Sequence, residues 1–161
     1  MAAGATYEPI ATTTISGTNT TTFSSIAASW TDLRLVFVGT VATSGSMGIR
    51  FNGDTATNYS RTHLLGDGSA AASGRVTSQT SIQPTTSSST TVPTLLTVDV
   101  FSYAGSTNKT ALLSFSNDTN GAGVTESDVG LWRSTSAITS LTLFAGSNIS
   151  GTATLYGIKA A

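Results

Sequence analysis

The chain has no cysteine, which excludes disulfides and thiolate metal sites alike. Charge is scarce as well. Asp, Glu, Lys and Arg supply 9% of the 161 residues, where an ordinary domain has about 25%. Seven basic and eight acidic residues leave a formal net charge of -1. There is no basic field to hold phosphates, so nucleic-acid binding through charge is disfavoured. No apolar run approaches the roughly eighteen residues of a membrane-spanning helix. The opening residues, Met1-Ala-Ala-Gly-Ala-Thr6, have neither a basic start nor an apolar stretch, so they do not read as a secretory signal. Stability must come from packing or from oligomerisation.

What the chain has in abundance is Ser and Thr, which supply 55 of its residues. Thr is β-branched and favours strands, while Gly, Asn, Asp and Ser favour the turns between them. Apolar residues are spread throughout, which argues against disorder. The length suits one domain, residues 1–161, able to bury about two thirds of its unfolded surface.

No helical period persists, but strict alternation does. Leu33, Leu35, Phe37 and Val41 share one face of a segment whose other face carries Arg34, Val36, Val38 and Thr40, a pattern that reads as a strand buried on both sides. Leu96, Val98 and Val100 alternate with Thr97, Asp99 and Phe101. Leu141 and Leu143 alternate with Ser140 and Thr142, and Ala153, Leu155 and Gly157 oppose Thr154, Tyr156 and Ile158. Shorter strands are expected over residues 7–15, 20–23, 47–51, 60–65, 74–79, 109–115 and 128–133. Turn signals recur near every ten residues: Asn52-Gly53, Asp67-Gly68, Ala104-Gly-Ser106, Asn117 to Gly121 and Ala145 to Asn148. This rhythm predicts an antiparallel β-sandwich, jelly-roll-like, of about ten short strands. Residues 81–93, mostly Ser and Thr with Pro84 and Pro93, read as an exposed loop between two halves. Thr12–Thr22 reads as an edge strand or an arm, and residues 1–6 as an N-terminal arm.

Three stretches carry a resemblance. They are Gly130-Leu-Trp-Arg-Ser-Thr135, followed by a Thr-rich strand and a closing Leu155-Tyr-Gly-Ile158; Phe51-Asn-Gly-Asp-Thr-Ala-Thr-Asn-Tyr-Ser60; and Asp32-Leu-Arg-Leu-Val36 after Phe23-Ser-Ser-Ile26. In this order, over roughly residues 7 to 158, they resemble the β-domains of tailed-bacteriophage virion proteins, of the fibre-tip and head-decoration type. The resemblance implies a structural protein on the outer surface of a virus particle, assembled as a homotrimer. A chain of extracellular-looking composition without a signal fits release by lysis.

Chemistry-bearing residues are few. His63 is the sole histidine, with no acidic cluster near it in sequence, and reads as an ordinary strand residue. No serine sits in a nucleophile elbow. Glu126 and Asp128, two apart, share one face of a strand as a glycosidase pair could; without aromatic neighbours they read as a solvated loop edge or a subunit contact. Asp118-Thr-Asn-Gly121 has a fragment of calcium-loop spacing but lacks the closing Glu, so turn chemistry is expected there. Trp30 and Trp132 read as core, and Tyr59 beside Asn58 as an exposed contact. The Asn-x-Ser/Thr sequons at Asn19, Asn58, Asn108, Asn117 and Asn148 follow from composition.

No catalytic, cofactor-binding or metal-binding residue is expected, and the chain is not expected to be an enzyme. Three functions remain: a capsid decoration protein clamping neighbouring subunits of the major capsid protein, a tail-fibre or head-fibre tip binding host glycans, and a glycan depolymerase. In the family resembled, the domain often ends a long fibre chain. Here the resemblance begins near Met1, with no triple-helical or coiled-coil shaft and no tail-attachment segment, so decoration is the leading expectation. If the chain is a fibre tip, the contact residues are Asn52, Asp54, Asn58 and Tyr59 in one turn and Asp118 and Asn120 in another. Partners are then further copies of itself and capsid or tail proteins, with no nucleic acid and no membrane.

Overall fold

Alternating apolar and polar residues extend through nearly every segment of the computed structural model, which describes residues 6–159 and places no helix among them. Nine strands follow one another: β1 Tyr7–Phe23, β2 Asp32–Val41, β3 Met47–Phe51, β4 Tyr59–Gly66, β5 Ala71–Gln79, β6 Thr94–Phe101, β7 Lys109–Asp118, β8 Gly123–Trp132 and β9 Leu141–Ile158. All pair antiparallel. The fold is all-β, as expected. It is one hydrogen-bonded sheet in the order β1-β9-β2-β6-β7-β8-β4-β5, with β3 attached to β9. The expected arm lies outside the described residues except for Thr6.

The sheet doubles back on itself. β3 belongs to the β9 end of the ladder, yet the ring of Phe51 on β3 lies 5.6 Å from that of Trp132 on β8, several strands away. Ile82, in the β5–β6 connection, bridges to Ile49 of β3 while its side chain covers Gly130 of β8. These contacts give the sandwich-like layering around one core, to which every strand except β5 contributes.

The 18-residue β9 makes this possible. Its residues 149–158 pair with β2 and its residues 141–145 with β3, while β1 runs along the opposite edge of both halves. The turn signal at residues 145–148 therefore marks a bulge inside one strand. Thr18 pairs with Ile149 and Thr20 with Phe144, so Asn19 alone stands opposite four residues. Ser147 fixes the corner, its hydroxyl donating to the Thr43 carbonyl at 2.7 Å and accepting from the Thr43 amide. A bulge bends a strand without ending it. The separate strands expected over 7–15 and 20–23 are likewise one, the edge strand β1, kinked at Gly17 with φ 70°.

Two further expectations are corrected. β2 is buried on one face only: Leu33, Leu35 and Phe37 are sealed, whereas Val38 is exposed because no layer covers the outer face. The segment 81–93 is an exposed loop only in part: Thr85, Ser87, Thr90, Thr91 and Pro93 are exposed. Ser81, Ile82, Pro84 and Ser88 are buried, and the segment crosses the core as a strap beside β3. Its polar composition concealed this, because its hydrogen bonds are made inward.

Both tryptophans pack inward as expected, Trp132 fully and Trp30 partly, its ring lying directly on the backbone of Gly157. Gly157→Ala would drive a methyl into that ring. It should lower the free energy of unfolding by about 2 kcal/mol, read by chemical denaturation with tryptophan fluorescence.

Candidate functional site

The first turn proposed for contact is an internal brace. Phe51-Asn52-Gly53-Asp54 makes a tight turn with φ of 52° and 66° at Asn52 and Gly53, closed by the Asp54 amide donating to the Phe51 carbonyl at 2.9 Å. The Asn52 side chain accepts from the amides of Thr139 and Ser140 and donates to the Ala137 carbonyl. Asp54 accepts from Trp132 Nε1 at 2.7 Å, from Asn58 Nδ2 at 3.0 Å and from the Ala56 amide. The hydrogen bonds from Asn58 and Trp132 hold its carboxyl below the ordinary range. Tyr59 is fully buried, stacked on Trp132 at 6.3 Å, with its hydroxyl accepting from the Phe51 amide. Burial pushes that phenol up to about 12. The reading of Tyr59 as an exposed contact is thus overturned: its ring completes an aromatic cluster with Phe51 and Trp132.

The second turn lies at the other end of β4 and β8, since Tyr59 pairs with Trp132 and Gly66 with Thr125. The fold therefore separates the two groups of expected residues. Asp118 Oδ1 accepts from the Asn120 amide at 2.8 Å, the expected turn chemistry. Asp118 and Asn117 line a surface cleft of about 690 Å³, with Asp67 of the β4–β5 turn across from them.

What the fold assembles unexpectedly is a buried ionic cluster under the strap. Arg61 and His63 on β4 meet Glu126 and Asp128 on β8, with His63 directly opposite Asp128. Arg61 Nη1 donates to Asp128 Oδ1 at 2.7 Å, to Glu126 Oε1 at 3.2 Å and to His63 Nδ1 at 2.9 Å. Its Nη2 donates to the Thr85 hydroxyl of the strap. Glu126 in turn accepts from the amides of Thr85 and Thr86 and from the Thr86 hydroxyl. Glu126 is 1% exposed and Asp128 0%. The expectation of a solvated edge or a subunit contact for this pair is corrected, as is that of a His63 without acidic neighbours.

The electrostatics follow from this geometry. Burial acts to raise Glu126, but the strap's amides and hydroxyls outweigh it and hold the carboxyl below its ordinary range. Asp128 is pushed up to about 6, first by burial and then by the charge of Glu126. Its Oδ2 is buried without a partner, the natural seat for a proton.

His63, Glu126 and Asp128 have the composition of a metal centre, their ligand atoms lying within 4.8 Å of one another. The Arg61 guanidinium already stands at their common focus. A neighbouring cleft of about 190 Å³ is lined by Arg61, Val76, Gln79 and Thr85, but not by either carboxylate. Both carboxylates lie buried beneath residues 85 and 86, and the arrangement latches the strap. Sequence carried one unused signal: Glu126 and Asp128 share strand parity with Trp132, assigned to the core, so they had to face inward too.

Compared with protein-family models, curated proteins and solved structures, the chain matches none.

Two outcomes are expected. Arg61→Met leaves buried carboxylates without their counter-charge and should cost about 3–5 kcal/mol of stability, measured by urea denaturation. The pH dependence has two opposed parts. Asp128 has a raised folded pKa, so its stabilisation is complete below about pH 4 and is lost as pH rises through about 6. Glu126 has a lowered one, so its contribution is present at neutral pH and lost in acid. The melting temperature should therefore rise from pH 7 to pH 5 and fall below pH 4. Asp128→Asn should abolish the rise and keep the acid fall.

Proposed function

We propose that this chain is a structural protein of a tailed-bacteriophage particle, a decoration protein on the outer head surface that clamps neighbouring subunits of the major capsid protein. The observation that carries a building-block role is the sealed latch. The clustered acid–base side chains among the described residues hold the strap and face no substrate, so what the molecule offers a partner is surface. Low charge supports the same reading, because a nearly neutral Ser/Thr-rich β surface repels neither its own copies nor a shell. The resemblance at Gly130–Thr135 and Leu155–Ile158 directs the reading to virions.

A second reading is favoured by the cleft beside Asp67, Asn117 and Asp118. Polar turns around an open cleft suit a fibre tip that holds a host glycan through hydrogen bonds. In that case Asp118→Ala should reduce adsorption to host cells.

The deciding measurement is the number of copies relative to the major capsid protein in purified particles, by quantitative mass spectrometry. A decoration protein should be present near one copy for each capsid subunit. A few dozen copies or fewer would replace this reading with the fibre one.

A further inference from the structure

The outward face of the sheet has no layer over it, and its composition is unusual for a solvated surface. Val38, Leu64, Leu95, Phe101, Leu112 and Val129 are between 39% and 61% exposed. In every one of their strands the alternate residues point into the core, so all six lie on this single face. They are not scattered: Val38 pairs with Leu95 across β2 and β6, and Leu112 with Val129 across β7 and β8. Between them stand Thr62, Thr97, Ser114 and Ser127, which are short and uncharged. Away from the rim the charged groups of β2, β6, β7 and β8 on this face are Arg34 and Asp99. These neutralise each other through two hydrogen bonds, Arg34 Nη2 donating to Asp99 Oδ2 at 2.7 Å, and Arg34 also lies over the Tyr7 ring.

We infer that this face packs against the same face of a second copy of the chain. The inference rests on reading the chain as a building block, and it commits to the contact that assembles it. Two properties select a copy of itself as the occupant. On β2, β6, β7 and β8 the charges are already paired, so this part of the face has nothing to offer a charged partner and meets no uncompensated charge in its own image; the exposed Arg75, bonded to Thr62, stands at the β5 margin. The area is also adequate. From β1 to β4 the face crosses seven strands, about 30 Å at the usual strand spacing, and Leu95 to Phe101 extends about 20 Å along them. A pair would cover about 1,200 Å² in total, above the roughly 1,000 Å² that a specific interface needs. Twisted sheets pack face to face in this way inside sandwiches. A threefold ring joins two different surfaces, whereas one face meeting itself is a twofold contact.

The test is sedimentation equilibrium of the wild-type chain and of the double variant Leu112→Lys/Val129→Lys, with melting temperature and near-UV circular dichroism as controls. Both side chains are exposed in the monomer, so its fold should be retained. The wild type should sediment as two chains and the variant as one. A wild type of one chain at about 100 μM, a wild type of three chains, or a variant that stays paired would each overturn the inference. If the lysines prevent folding, Leu112→Thr/Val129→Thr replaces them and should weaken the dimer at least tenfold; unchanged association overturns the inference equally. Particle copy number decides the decoration reading independently, so the two can fail separately.

Discussion

Arg61 places a full positive charge beneath a strap of polar chain, and two carboxylates beside it make that burial tolerable. The dependence extends outward from there. Glu126 grips the amides of Thr85 and Thr86, which fixes the strap. The strap sets Ile82 against Ile49 and over Gly130, where even a methyl on the glycine would collide with it. Ile82 thereby connects β3 to β8, and the aromatic group of Phe51, Tyr59 and Trp132 closes beside it. Removing the guanidinium would loosen a whole flank of the core as well as deleting hydrogen bonds.

The same network explains why the chain offers so little chemistry. Its two glutamates are Glu8, at a surface ion pair with Lys159, and Glu126, fully engaged by the strap. Arg61 and Arg34 are likewise engaged, one in the latch and the other in the outer-face pair with Asp99. With these ionic groups committed to architecture, much of the remaining surface is hydroxyls and the aliphatics grouped on the outer face. Such a surface suits broad contacts between like subunits better than recognition of a small charged ligand.

Much of the fold was legible. Alternation located β3, β6 and the closing half of β9 closely, because inward Ile49, Phe51, Leu96, Val98, Val100 and Leu155 sit at alternate positions. Errors arose where a local signal had two physical outcomes. Gly146, Ser147 and Asn148 are turn formers, and they also form the bulge that lets β9 continue. Ser and Thr dominate the strap, and hydroxyls that usually face water here satisfy a buried carboxylate. The latch itself joins residues 61 and 126, a pairing that no local pattern encodes; only parity with Trp132 hinted at its inward orientation. Tyr59 was misplaced because its partner strand, and so its ring's neighbours, depend on the same long-range pairing.

β1 and β9 are paired along their whole length, although more than a hundred residues separate Phe23 from Leu141. During folding β1 has no hydrogen-bonding partner until β9 is in place, and contacts so distant in sequence form slowly. A waiting strand is an invitation to intermolecular pairing, above all when it is rich in Val and Ile. β1 instead carries Thr12-Thr-Thr14 and Thr20-Thr-Thr22, with Pro9 interrupting its ladder of donors. Thr keeps the strand preference of a β-branched residue while exposing a hydroxyl, so the segment remains compatible with water during the delay. The threonines of β1 thus suit a strand whose one partner lies at the far end of the chain.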